Sequence, residues 1–288
     1  NKVSDGIAYL ANDYSPKNYG YIKITNLIDG ATVSAIKNTQ PHSISNQGTL
    51  EVVANNTNNV KLYGIMKNPE NLDSTKNTGT IKIDMTGNNN TAYGIYSKSN
   101  VVNKGDITIT SANKQGAAYG IYIDGHDKSG IRVENYGNIT LTDVNPDTSY
   151  GIYAVNGASV YNKGKITIND KSTTENTADG KFIYIDATSQ IVNNGFYAQT
   201  TAFDTAALGG GKFVLGKDGK ITAPEIKGDI TADAGITSGG FDKTYSNKNA
   251  FSGKTDEVKL NSGSALFDAT LKDNDLVMTM KDFEPSVE

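Results

Sequence analysis

The stretch YGIYAVNGASVYNKGKITIN, residues 150–169, decides the fold. It sets a glycine inside one apolar run and an Asn-x-Gly just ahead of another, strictly alternating run. Both features recur. Asn-x-Gly followed by an alternating run appears as NYGYIKI (18–24), NQGTLEV (46–52), NTGTIKI (77–83), NKGDITI (103–109), NYGNITL (135–141), NKGKITI (162–168) and, degenerating, NNGFYAQ (193–199). The glycines stand at 20, 48, 79, 105, 137, 164 and 195, so the steps are 28, 31, 26, 32, 27 and 31 residues. A second marker keeps the same pitch: DGIA (5–8), VSAI (33–36), YGIM (63–66), YGIY (93–96), YGIY (119–122), YGIY (150–153) and KFIY (181–184). Between the two lies a third short run that ends on the Asn, as in VVNKG and SQIVNNG.

Each unit of about 29 residues therefore carries three short segments rich in Ile, Val, Tyr and Thr, the residues that strands favour. No helical 3.6-residue period competes over a comparable length. Three strands in an unvarying order leave a β-propeller or a β-solenoid. Propeller blades need four strands in about 40–50 residues, which these units cannot supply. The expected fold is all-β, a parallel β-helix (β-solenoid) of about seven three-strand coils. Its hand is expected to be right, the hand of nearly all parallel crossovers.

Stacking explains the repetition. In a solenoid each residue lies ~4.8 Å from its counterpart in the next coil, so a corner that works once is best copied. Asn tolerates a left-handed conformation and Gly has no Cβ, which together suit a sharp turn. In register, Asn18, Asn46, Asn77, Asn103, Asn135, Asn162 and Asn193 are expected to form an amide ladder of the cross-β kind.

Composition narrows the function. The 288-residue chain is 36% hydrophobic, enough for a core. Net charge is −4, and Arg132 is the one arginine among 27 basic residues, so no basic stripe invites nucleic acid. The absence of cysteine excludes disulfides and thiol catalysis and suits passage through an oxidising compartment. No apolar run reaches the roughly 18 residues of a membrane-spanning helix. The opening at Asn1, without a signal-peptide pattern, reads as part of something longer.

Near residue 200 the composition changes. All 8 phenylalanines lie at or after Phe182, 15 of 16 tyrosines at or before Tyr197, and asparagine falls from 28 in the first 200 residues to 4 in the last 88. Residues 1–200 are read as the repeats and residues 201–288 as a C-terminal module. That module holds short β runs between glycines and a hairpin, Leu266 to Leu271 and Leu276 to Met280. Since a solenoid end exposes strand edges and apolar core, the module is assigned the duty of a cap.

The YGIY and NKGxITI units, followed by NSGSALFDATLKDNDLVMTMKDF at 261–283, resemble the passenger of a type V autotransporter of a Gram-negative bacterium. The resemblance implies a right-handed β-helix, export through the outer membrane to the cell surface, and a C-terminal segment that nucleates folding ahead of a linker and membrane β-barrel lying outside this sequence. It implies an adhesin or stalk whose partner is a host or bacterial cell-surface protein or glycan, with the barrel as its one attachment to the membrane. A monomer is expected. The second reading is the β-helical scaffold of a secreted enzyme, such as a serine protease, whose catalytic domain lies upstream. A third is a polysaccharide lyase or hydrolase.

Sites for chemistry are sparse. His42 and His126 are 84 residues apart, which gives a two-His metal site no support. Asp124, His126 and Asp127 share DGHDKSG in the longest inter-repeat loop and form a candidate contact loop beside the plainer reading of a solvated insertion. Gly209-Gly210-Gly211-Lys212 lacks the spacing of a phosphate loop and reads as a turn. The carboxylates are scattered at turns, without the pairing glycan cleavage needs. No cofactor, metal or catalytic residue is expected. The aromatic candidate is a platform of Tyr96, Tyr122, Tyr153 and Tyr184, beside a column of Tyr63, Tyr93, Tyr119 and Tyr150. Strict alternation places the first Tyr and the Ile of YGIY on one side of the sheet and the Gly and second Tyr on the other, one tyrosine stack in and one out.

Overall fold

The inward columns of the repeat are almost purely aliphatic, and stacking them produces three flat parallel faces around one core. The computed structural model describes residues 3–11, 15–70, 72–112, 114–126, 130–169, 171–172, 182–193, 196–198, 202–233 and 243–282. Face I consists of Val3–Ala11, Leu27–Asn38, Lys61–Lys67, Thr91–Ser97, Ala117–Asp124, Tyr150–Val155 and Ile183–Ile185, in that spatial order. Face II begins with Lys17–Asn18, Ile44–Asn46, Thr75–Asn77, Val101–Asn103, Arg132–Asn135, Ser159–Asn162 and Gln190–Asn193. Face III stacks Tyr21–Ile24, Thr49–Ala54, Thr80–Met85, Asp106–Thr110, Ile139–Thr142 and Ile166–Ile168, with Lys171–Ser172 added antiparallel at its end. The chain is a β-solenoid of about seven coils.

Register is kept residue for residue. On face III the pairs Leu50↔Ile81, Ile107↔Ile81 and Ile107↔Ile139 continue to Ile166, and one alternate position along Val52, Ile83, Ile109, Leu141 and Ile168 do the same. These side chains are buried, as are Ile65, Ile95, Ile121 and Ile152 of face I. A one-residue slip would turn the whole inward set to solvent, which is why the register is so strongly specified.

The Asn-x-Gly corner stacks as expected, for a different reason. Among the described residues neither its Asn nor its Gly adopts a positive φ; the left-handed residues, Asn56, Asn59, Asn89 and Asn156 among them, sit at other corners. The glycine is demanded by proximity. A Cβ on Gly48, Gly79, Gly105, Gly137 or Gly164 would strike the carbonyl oxygen of the corner glycine one coil earlier. The chain passes so close because the carbonyls of Asn18, Asn46, Asn77, Asn103 and Asn135 each accept two N–H groups from the next coil, as Asn77 does from Lys104 (2.7 Å) and Gly105 (3.1 Å).

The two earliest YGIY counterparts are displaced from the motif alignment. Ser34 pairs with Tyr63 and Ile7 with Ser34, so Ala8 and Ala35, not the glycine of DGIA or the serine of VSAI, fall in the column of Gly64.

Composition changes near residue 200, yet face II runs on. Lys220–Ala232 pairs on one side with Phe196–Ala198, Phe203–Asp204 and Lys212–Leu215, and on the other with Phe251–Ser262, all parallel. The aliphatic core becomes aromatic here: Phe203, Phe213, Phe251 and Phe267 are fully buried. Residues 209–212 follow a short 3-10 turn, Thr205–Leu208, with Gly209 at φ 104°. The expected hairpin forms from Phe267–Lys272 and Asp275–Met280, and a third antiparallel strand, Thr244–Asn247, joins it.

Candidate functional site

The amide ladder runs through the molecule as a chain of single hydrogen bonds. Nδ2 of Asn18 donates to Oδ1 of Asn46 (2.8 Å), Asn46 to Asn77 (2.8 Å), Asn77 to Asn103 (2.7 Å), Asn103 to Asn135 (2.7 Å) and Asn135 to Asn162 (2.8 Å). Asn46, Asn77, Asn103 and Asn135 are fully buried. The second amide hydrogen returns to the carbonyl two residues on, from Asn103 to Gly105 at 3.0 Å for example. A buried amide left unpaired would cost about 1–3 kcal/mol, so the ladder is all or nothing along its interior. The side chain of Asn193 lies outside the described residues.

Both tyrosine columns lie on the outer surface of face I, which corrects the strict-alternation reading. Ala92 and Ile95 point inward and Tyr93 and Tyr96 outward, although two residues rather than one lie between the two inward ones. Gly94 is the extra residue that resets the phase, and the paired Cα positions on either side of it skip it. Its own Cβ would collide with Cγ2 of Ile107 and the Gly120 carbonyl, so at this coil the step calls for glycine, whereas Ala35 holds the same column near the first coils.

The result is a two-column slab of eight rings. Within one column Tyr63, Tyr93, Tyr119 and Tyr150 stack at 4.8, 5.0 and 6.0 Å. In the other, Tyr96, Tyr122, Tyr153 and Tyr184 stack at 5.2, 5.1 and 4.3 Å. Rings of the two columns meet edge to face, Tyr93 with Tyr96 at 5.8 Å and 86°. Inner rings therefore spend their faces on one another and turn edges outward. Burial raises the phenol pKa of Tyr63, Tyr93, Tyr96, Tyr119, Tyr122 and Tyr153, that of Tyr122 to about 12, with the Asp124 carboxylate adding to the rise at Tyr96 and Tyr122.

Past the end of the slab the corner is polar. Asp124 and His126 come together as the shared loop suggests, and they recruit Glu70 from two coils earlier. Nδ1 of His126 lies 3.1 Å from Glu70 and Nε2 lies 3.3 Å from Asp124. Asp124 also accepts the His126 N–H (3.0 Å), which holds that residue at φ 49°, and a hydrogen of the Asn156 amide (2.8 Å). Asp127 lies outside the described residues. The imidazole thus lies between two carboxylates, Nδ1 toward Glu70 and Nε2 buried beside Asp124 without a hydrogen bond to it, and among the described residues no group of three His, Cys, Asp or Glu side chains is arranged to hold a metal.

Lys67 is a site the motif reading missed. It follows YGIM as Ser97 follows YGIY, and the shared register turns both inward, where they are fully buried. Nζ of Lys67 donates to the carbonyls of His42 and Gln40 (3.3 Å), while Nδ2 of Asn38, the register partner, also donates to His42 (2.8 Å). Desolvation pushes the ammonium down to about 8, against the pull of Asp73. Aligning the residue after YGIM with those after the three YGIY units, Ser97, Ile123 and Ala154, would have exposed this lysine.

No protein family, curated protein or solved structure matches the chain. The functional reading therefore rests on fold and side-chain geometry.

Proposed function

We propose that the chain is a passenger segment of an exported, surface-displayed β-solenoid and serves as a rigid stalk or adhesin between cells. One observation supports this above others: the recurring side chains of the corner and of face I, the asparagines and the tyrosines, bond to the same residue type one coil away. Chemistry spent along the axis makes a rod, at ~4.8 Å per coil. The slab of face I is the broadest aromatic surface for a cell-surface protein or glycan, met through ring edges and hydroxyls rather than by stacking on inner ring faces.

The test uses beads coated with the protein, scored for attachment to host and bacterial cells and on a glycan array. Attachment that falls in the Tyr96→Ala/Tyr122→Ala/Tyr153→Ala variant supports an adhesin with the slab as its contact. In a displayed passenger, exchange of this segment for an unrelated solenoid of equal length should preserve adhesion if the segment is a stalk. No attachment by the beads, together with no loss of adhesion when the displayed segment is deleted, would refute both roles.

A further inference from the structure

The first Asn-x-Gly corner carries stacking features that nothing in the described chain uses. A Cβ on Gly20 would meet nothing within 4 Å, whereas at every later described corner glycine it would strike backbone. Oδ1 of Asn18 accepts the Gly20 N–H at 3.2 Å, while the same atom of Asn46, Asn77, Asn103, Asn135 and Asn162 receives an amide hydrogen from the preceding Asn. The Tyr19 N–H corresponds to those of Gln47, Thr78 and Lys104, each bonded to an Asn carbonyl one coil earlier, and among the described residues it has no acceptor. Tyr19 and Tyr21, at this same rim, are 66% and 59% exposed, among the most exposed large apolar side chains described.

We propose that this rim is a seat for a further turn of the same repeat, whose Asn-x-Gly corner donates its amide to Asn18 and receives the Tyr19 and Gly20 N–H groups on its Asn carbonyl. The occupant is a preceding turn on the same polypeptide rather than a second copy of the chain. Along face II the ladder column continues from Asn193 to Leu215, Ala232 and Ser262. The opposite end of another copy would therefore offer a serine where the seat needs an amide donor. A glycine at 20 costs unfolded-state entropy that an alanine would not, and a stacked turn supplies the missing reason for it. The inference rests on the solenoid geometry and stands apart from the surface-display reading.

The experiment joins residues 72–90 ahead of Asp5, which corresponds in register, through Thr32 and Lys61, to Thr91. Amide hydrogen exchange is compared with that of the unextended protein. Slowing at Tyr19 and Gly20 of at least about tenfold is expected, and Gly20→Ala should lower the denaturation midpoint of the extended protein alone. Equal exchange in both proteins, or Gly20→Ala tolerated in both, overturns the proposal. So does equal protection from a Gly/Ser extension of the same length, which would be mere coverage. Protection in the unextended protein that grows with its concentration would make a second copy the occupant and overturn it as well.

Discussion

Gly105→Ala tests the logic of the corner most directly. The new methyl would point at the carbonyl oxygen of Gly79, with the Thr78 carbonyl carbon at 2.8 Å and the Gly79 nitrogen at 2.9 Å. All three are backbone atoms, so no rotamer change makes room and the rungs must part. Four hydrogen bonds cross that gap: Lys104 N–H to Asn77 (2.7 Å), Gly105 N–H to Asn77 (3.1 Å), Asp106 N–H to Gly79 (3.2 Å) and the Asn77 to Asn103 amide bond (2.7 Å). At a net 0.5–1.5 kcal/mol each, loosening them costs about 2–6 kcal/mol. Gly20→Ala makes the same chemical change with nothing in the way, and its effect should stay within about 0.5 kcal/mol. Denaturant titration followed by circular dichroism gives both midpoints, and hydrogen exchange at residues 77–79 and 103–106 locates the damage. Equal losses from the two substitutions would show that corner glycines serve the backbone conformation rather than the close approach, and the reasoning would fail.

Four further outcomes follow from the same geometry. Asn103→Ala strands the amide of Asn77, the Oδ1 of Asn135 and the Gly105 carbonyl, and should cost about 2–4 kcal/mol by denaturant titration, well above Asn18→Ala at the rim. Thr75→Val should stabilise by about 1 kcal/mol, because the Thr75 hydroxyl is buried without a partner between Ile44 and Val101 in an otherwise aliphatic column. The lowered Lys67 pKa means that the unfolded chain binds more protons between pH 8 and 10.5, so stability should rise from pH 8 toward 10, while the raised tyrosine pKa values give stability that is lost above pH 10; Lys67→Met should flatten the first limb in denaturant titrations at pH 7 to 10. Deleting residues 201–288 should abolish refolding of the repeats after dilution from denaturant, and refolding at the parent rate would defeat the idea that this end templates the coils.

The solenoid was legible because its constraints are periodic. A corner glycine without a Cβ and an asparagine beside it had to recur wherever coils touched, and spacing alone placed six of the described ladder members. The tyrosine slab was half legible: the two columns followed from YGIY, but their side of the sheet depended on Gly94 taking a position outside the two-residue alternation. Nothing in one isolated YGIY announces that step, since the Ile107 methyl and Gly120 carbonyl that require it come from the neighbouring strands. Lys67 and Glu70 escaped for the converse reason. Each occurs once, so no period marks it, and its role depends on what faces it: two backbone carbonyls for Lys67 and a histidine reaching back from two coils away for Glu70.

The two ends of the rod differ, and the difference bears on the direction of folding. At one end the groups that hold a coil on at later corners have no preceding coil to meet among the described residues, and Oδ1 of Asn18 takes the Gly20 N–H instead. At the other, the ladder column passes to Leu215, Ala232 and Ser262, the core turns aromatic, and Phe251 donates its N–H to Asn274 in the turn of the hairpin (3.1 Å). Antiparallel pairing across that hairpin is local, so its strands can find each other cheaply, whereas every parallel pair of the repeats must first close a loop of about one coil. We propose that the end without an amide donor forms first, the order that the 201–288 deletion tests. A coil then added to it gains the full set of corner bonds at once, and leaves on its far rim the same seat that Gly20 presents. Growth by that route would run from the C-terminus toward the N-terminus, each rung ending in the acceptor that the next one needs.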